Sequence, residues 1–245
     1  MHKKRISNTA VIFFSLTPRE EARQKSLVSG SEFVKDFRIA VLLRGHVKRQ
    51  VDQTDLPCFL FDEYNQKGET FGEKFVSGIE KVFNDGFENV IVVGSDTPML
   101  QSEHILKAAD ELQNELSDVV LGPAGDGGTW LMGFSHRSFD ANIVENLPWK
   151  TDNLLKSIIE QMGEANLISF LDTFDDLDSN KDLQNFLRSW HARDGLIQLK
   201  KRIKTIIEYV WFEFFPDYSS LISREQSHSF LLRGPPPASD CYPFK

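Results

Sequence analysis

Apolar positions along the chain follow two rhythms. In the first they form short unbroken runs: "TAVIFFS" (9–15), "PCFLFDE" (57–63) and "NVIVVGSD" (89–96) read as buried strands. "DFRIAVLLRG" (36–45) reads as another strand, second in chain order, with its glycine at the stop. "DVVLGP" (118–123) and "TWLMGF" (129–134) are two more, on either side of "AGDGG". In the second rhythm apolar residues recur every three or four positions. Phe71, Phe75, Ile79 and Phe83 form a helical stripe that ends at Asn84-Asp85-Gly86. Ile105, Leu106, Ala109 and Leu112 predict a helix over 102–116 with Ser102 as its N-cap. "NLLKSIIEQMGEAN" (153–166) predicts one more, with Gly163 near its end.

Strands as continuously apolar as 89–96 are covered on both faces, as in a parallel sheet. The alternation with helices predicts a three-layer α/β/α sandwich with a mainly parallel sheet. From about residue 190 the pattern changes. "GLIQLKKRIKTIIEYVWFEFFP" (195–216) sets Leu199, Ile203, Ile206, Val210 and Phe214 on one side of a helix and crowds Lys200, Lys201, Arg202 and Lys204 into its first half. The expected division is an α/β domain over 1–190 and a C-terminal extension over 191–245, whose "GPPP" favours an extended arm. A basic amphipathic helix can lie on a membrane; the favoured reading packs it on the protein's own core or on a second copy, as a homodimer contact.

Composition narrows the choice. With 36 acidic against 28 basic residues the net charge is −8, which opposes non-specific nucleic-acid binding because that requires a basic surface. Cys58 and Cys241 are too few and too far apart for a disulfide framework or a paired thiolate metal site. The basic, then apolar, N-terminus lacks a small-x-small cleavage site, and no run is long enough to span a membrane. A cytoplasmic location is expected. The six histidines show no paired ligand spacing, and neither a G-x-S-x-G elbow nor a P-loop is present.

The candidate chemistry lies where strands end. In open α/β sheets, ligands bind beyond the carboxyl ends of strands. "VIVVGSDTPML" (90–100) carries Asp96 off the most apolar strand, and "GPAGDGG" (122–128) carries Asp126 between two others. Each has a structural reading as well. Asp96 suits a turn or helix entry, and Asp126-Gly127 is a hairpin pair.

Together with "QKGETFGEKF" (66–75), "LPWKTDNLL" (147–155) and "DLDSNKDL" (176–183), these segments resemble, in order, the motifs of the bacterial glycosyltransferase-A-like, or nucleotide-diphospho-sugar-transferase-like, family. They are similar to 2-phospho-lactate guanylyltransferases. The resemblance runs from about Ala10 to Leu187. It implies a glycosyltransferase-A fold, a nucleotide or nucleotide-sugar donor, a small-molecule acceptor, and a divalent cation, Mg²⁺ or Mn²⁺, held by carboxylates and phosphates. Its implied catalytic residues are Asp96 and Asp126, and its implied metal ligands are Asp96, Asp126 and Asp178. Its implied substrate-binding positions are Arg19, Arg23, Lys25, Gln66, Gly68, Gly72, Glu73, Ser95, Thr97, Gly127, Gly128, Trp130 and Trp149. For both tryptophans a core role is an equal expectation.

One departure stands out. Where the family follows strand one with Gly-x-x-Lys-Thr-Arg-Leu, this chain has "LTPREEARQKSL" (16–27), whose Glu20 and Glu21 dilute the positive field of Arg19, Arg23 and Lys25. Pro18 there also reads as a helix start. Three functional classes follow: a metal-dependent transferase with a nucleotide-activated donor, a nucleotidyltransferase acting on a phosphorylated small molecule, and a catalytically silent binding module on the same fold.

Overall fold

The computed structural model describes residues 8–30, 32–190 and 193–208. In chain order they form β1 (Thr9–Phe14), α1 (Pro18–Gln24), α2 (Phe33–Asp52), β2 (Cys58–Phe61), α3 (Phe71–Asn84), β3 (Asn89–Val93) and α4 (Ser102–Gln113). There follow β4 (Val119–Pro123), β5 (Thr129–Ser135), α5 (Ala141–Glu145), α6 (Leu154–Met162), β6 (Ile168–Phe170), α7 (Asn180–Arg188) and α8 (Asp194–Glu208).

The strands make one sheet in the order β2-β1-β3-β5-β4-β6. β1 pairs parallel with β2 and β3, and β4 pairs parallel with β6. β5 runs antiparallel to both its neighbours, β3 and β4. β3 and β4 therefore point the same way, and the carboxyl ends of every strand but β5 meet the start of β5 along one edge.

Strand alternation divides the core into two layers. Ala10 and Ile12 of β1 face Phe75, Ile79 and Val82 of α3 and Ile158 of α6. Val11 and Phe13 face the opposite way, with Val47 and Val51 of α2 and Ile105 and Leu112 of α4. Helices thus cover both faces, which is the expected three-layer sandwich.

Residues 36–45, expected as a strand, belong instead to the 20-residue helix α2. Its buried side chains are Asp36, Ile39, Ala40, Leu43, His46, Val47 and Val51, a spacing of three to four that a sheet cannot present to one face. The short apolar run "IAVLL" cannot distinguish the two states; the helical period appears only with its polar flanks included. Two smaller differences concern ends and short elements. Gln101, not Ser102, caps α4. The sequence pattern also did not mark α5, α7 or the three-residue β6.

Leu196, Leu199 and Ile203 of α8 join Ile39 and Leu43 of α2 and Leu183 and Phe186 of α7 in a third apolar cluster. That part of the amphipathic stripe is covered by the chain's own core. Val210, Phe214, the proline-rich tail and Cys241 lie outside the described residues; Cys58 is a buried free thiol. Among the described residues no helix is long and apolar enough to cross a membrane.

Candidate functional site

The chain leaves β1 for β2 on one side of the sheet, while β3 lies on the other side of β1. Such a switch opens a crevice at the strand ends, because the connections depart in opposite directions. Ser15, just past β1, donates its hydroxyl to Ser95 Oγ, just past β3, at 2.7 Å. This buried bond ties the two strand ends together. His46 of α2 holds the next turn, its Nε2 lying 3.0 Å from the Pro98 carbonyl oxygen.

Lys25 crosses this crevice. Thr17 caps α1, whose first residue is Pro18, and Lys25 is the residue that closes the helix. The Asp36 carboxylate fixes the next step of the chain by accepting hydrogen bonds from Leu27 N at 3.0 Å and Val28 N at 2.8 Å. Lys25 Nζ then lies 2.6 Å from Asp96 Oδ2, 2.7 Å from Glu21 Oε1 and 2.7 Å from Asp178 Oδ1. An ammonium has three hydrogens to donate, and here each meets a carboxylate from a different segment. Asp178 comes with the segment after β6, which bonds to the end of β4 through Phe174 N and the Pro123 carbonyl. It then bonds to the Asp96 carbonyl through Leu177 N at 3.0 Å. In the same segment Thr97 donates its hydroxyl to Asp176.

The electrostatics follow from this crowding. Burial disfavours the charge on Lys25, yet Asp96, Glu21 and Asp178 hold its pKa well above the ordinary lysine value. Burial also opposes ionisation of Asp96, but the Lys25 ammonium prevails and keeps its carboxyl below the usual range. Asp176 goes the other way. Burial first, and then the Asp96 charge, push it well above its ordinary value. Burial raises Glu21 too.

Other cations border the crevice. Arg44 of α2 lines it together with Pro18, Glu21, Ser95 and Asp96. Its guanidinium lies 5.6 Å from the Phe13 ring centre. Arg44 makes no ion pair among the described residues. Arg19 is exposed, and Arg23 is occupied by Glu20 at 3.1 Å on the surface. The start of α1 already has an anion: Glu63 accepts from Thr17 N at 2.8 Å and from the Thr17 hydroxyl.

The remaining expected positions sit along the same sheet edge but in different company. Asp126 accepts from Gly128 N at 2.9 Å within the β4–β5 hairpin, which is the turn reading of "AGDGG". Gly127 has φ +89°, and a Cβ there would come within 2.0 Å of the Asp152 carbonyl. Trp130 is buried, donates its Nε1 to the Asp172 carbonyl and packs against a tilted Phe174 ring and edge-on to His104. Trp149 packs on Phe71 and Phe75 and donates to the Val144 carbonyl. Glu73 completes the capping box of α3 with Thr70. Gly72 meets the α5 carbonyl of Glu145, Gly68 turns the chain at φ +126°, and Gln66 donates to the Phe61 carbonyl at 3.4 Å. The structure therefore gathers Lys25, Ser95, Asp96, Thr97 and Asp178 into one cluster.

Glu21, Asp176 and Arg44 belong to the same cluster and were not singled out by sequence. The Glu21–Lys25 spacing of four residues on a helix and the first Asp of "DLDSNKDL" were legible signals. Arg44 was hidden by the strand reading of its segment.

A divalent cation, implied by the family resemblance, needs open oxygen ligands. Three carboxylates do converge on one point, but the Lys25 ammonium fills it. Among the described residues no set of three His, Cys, Asp or Glu side chains offers a metal position. With Lys25 in place, the residues at Asp96 do not fit a bound ion.

One known structure shares this architecture. A crystal structure from Desulfovibrio desulfuricans G20, provisionally described as a nucleotide-diphospho-sugar transferase, superposes with a TM-score of 0.71 at 22% identity. The match covers 82% of this chain and 97% of that one. A Mycobacterium sp. strain JC1 homolog of Mycobacterium tuberculosis rv0371c gives 0.45 at 9% identity, covering 80% and 98% of the two chains. A cytidylyltransferase from Leptospira borgpetersenii serovar Hardjo-bovis gives 0.42 at 10%, covering 84% and 99%. Likenesses as slight as these last two say nothing about chemistry. No curated protein matches the sequence. The three-layer fold is the one seen in the Desulfovibrio desulfuricans structure. Residues 34–151 match the family described as an uncharacterized protein conserved in bacteria (DUF2064).

Proposed function

We propose that this chain is a transferase that takes a nucleotide-activated donor, a nucleotide-diphospho-sugar in the first instance, at the strand edge between β1 and β3. The carrying observation is the cluster at that edge: Lys25 at 2.6 Å from Asp96, with Asp178, Asp176 and Arg44 around it. The fold shared with the Desulfovibrio desulfuricans structure supports the reading, because ligands of open α/β sheets bind at such a switch point.

In this reading the residues divide the work. Arg44 lines the crevice, makes no ion pair among the described residues and suits a phosphate oxygen, for which a guanidinium provides a planar fork of donors. Asp96, held below the usual range by Lys25, and Asp176, raised by burial, influence one another's charge, and opposite shifts of this kind are how an acid and a base are drawn from two carboxyls. The "GPAGDGG" hairpin would wall the crevice on the β4–β5 side. The domain is read as residues 1–190, with helix α8 of the extension packed on α2 and α7.

Thermal-shift titration with UDP- and GDP-type ligands tests this reading. A rise in melting temperature that Asp96→Asn and Arg44→Ala each diminish is expected, since ligand binding to the native state alone stabilises it. No response to any nucleotide would sink it. Pyrophosphate release from a nucleoside triphosphate would instead identify a nucleotidyltransferase.

One observation favours the silent-module reading. Glu63 already occupies the start of α1, and Lys25 is already saturated by carboxylates, so the two positions at which phosphate and cation would be received are filled from within. On that reading no nucleotide binds, and partner binding is lost when residues 209–245 are deleted, with α8 kept on the core.

A further inference from the structure

The crevice holds a cation of its own. Three carboxylate oxygens, from α1, from the loop after β3 and from the segment after β6, lie 2.6–2.7 Å from one nitrogen. The Lys25 side chain is 19% exposed, and that of Glu21 is 16% exposed, so the ammonium is largely enclosed. A hard divalent ion takes oxygen ligands at about 2.0–2.6 Å. An ion bound to the same three oxygens would therefore sit on the nitrogen itself, and its charge would face the ammonium at van der Waals distance or less. Either cation satisfies the carboxylates; both together cannot.

The surroundings keep the lysine in place. Helix α1 sets Glu21 and Lys25 four residues apart, the spacing at which helical side chains meet. The two backbone N–H bonds to Asp36 hold the chain just beyond Lys25. The Leu177 N bond to the Asp96 carbonyl brings Asp178 to the other side. Asp176, beside them, bonds to the Thr97 hydroxyl rather than to Lys25.

We infer that the Lys25 ammonium is the resident cation of the Glu21–Asp96–Asp178 cluster and excludes divalent metal ions from Asp96. This departs from the expectation attached to the fold, in which a metal ion takes that place. It also does not depend on which nucleotide, if any, the protein uses. The cluster is a latent metal site, closed by one residue.

Mn²⁺ alone is the probe, with the full chain at neutral pH. Electron paramagnetic resonance of free Mn²⁺ should show no stoichiometric uptake by the wild type that depends on Asp96. Lys25→Gln removes the charge and shortens the side chain by one atom, and it should bind one Mn²⁺ on the order of a hundredfold more tightly than wild type. Lys25→Gln/Asp96→Asn should lose that gain, and Lys25→Arg should exclude the ion as the wild type does. Wild-type protein that binds one Mn²⁺, lost in Asp96→Asn, overturns the inference whatever the Lys25 variants do. So does a folded Lys25→Gln protein with no gain. If Lys25→Gln is only partly folded, Mn²⁺ should raise its melting temperature and leave that of the wild type unchanged, since an ion that binds only the native state stabilises it. No rescue counts against the inference. Because no nucleotide is used, these outcomes are separate from the nucleotide titrations.

Discussion

Lys25 Nζ and Asp96 Oδ2 lie 2.6 Å apart across 71 positions of sequence, joining the end of α1 to the end of β3. The pair is both structural and electrostatic. Replacing Lys25 with Met leaves Glu21, Asp96 and Asp178 facing one another without a counter-ion. The expected loss is about 1–3 kcal/mol, less than for a fully buried pair because Asp178 is half exposed. Urea denaturation measures it. An unchanged midpoint would show that water already screens the cluster.

Asp36 is buried and accepts two backbone N–H groups that place the chain beyond Lys25. Asp36→Ala leaves both donors unsatisfied and should cost about 2–4 kcal/mol. Asp36→Asn keeps an acceptor oxygen and should cost clearly less. Equal losses in chemical denaturation would show that the carboxylate charge, not the hydrogen bonding, matters there.

Three glycines should respond with opposite signs. Gly127→Ala forces a side chain into positive φ and against the Asp152 carbonyl, for an expected loss of about 2–5 kcal/mol. Gly72→Ala drives α3 off the Glu145 carbonyl of α5 and should also destabilise. Gly45 lies inside α2 with open space around its missing Cβ, so Gly45→Ala should stabilise by about 0.5–1 kcal/mol. A destabilised Gly45→Ala protein would contradict the helix assigned to this segment.

Burial draws the His46 pKa below its ordinary value, outweighing the Pro98 hydrogen bond. The unfolded chain therefore binds a proton that the folded chain refuses. His46's contribution is complete above the unfolded value of about 6.5 and is lost as pH falls below it. Between about pH 8 and pH 5 the melting temperature of His46→Gln should fall less than that of wild type. Parallel curves would show that His46 does not titrate on unfolding.

Strands β1, β2, β3, β4 and β5 were legible in the sequence because each is a continuous apolar run stopped by Gly, Pro or a polar cluster. The stripe of α3 was legible because its large apolar residues recur every four positions along a single face. The motif order also carried the fold and pointed to Asp96. The run at 36–45 was misread because five apolar residues in a row carry no period, and what decides such a run is the surface it packs on.

The sequence by itself determined the sandwich, the strand-end position of Asp96 and the absence of a glycine-rich basic loop after the first strand. Tertiary structure alone decided which charges meet. Glu21, Lys25, Asp96 and Asp178 come from three segments, and they converge only because β1 and β3 are neighbours and the segment after β6 returns across the sheet edge. Charge pairing acts over a few ångströms of space. A one-dimensional pattern records the charges but not the distances between them, so the lysine expected to face a phosphate was found holding three carboxylates.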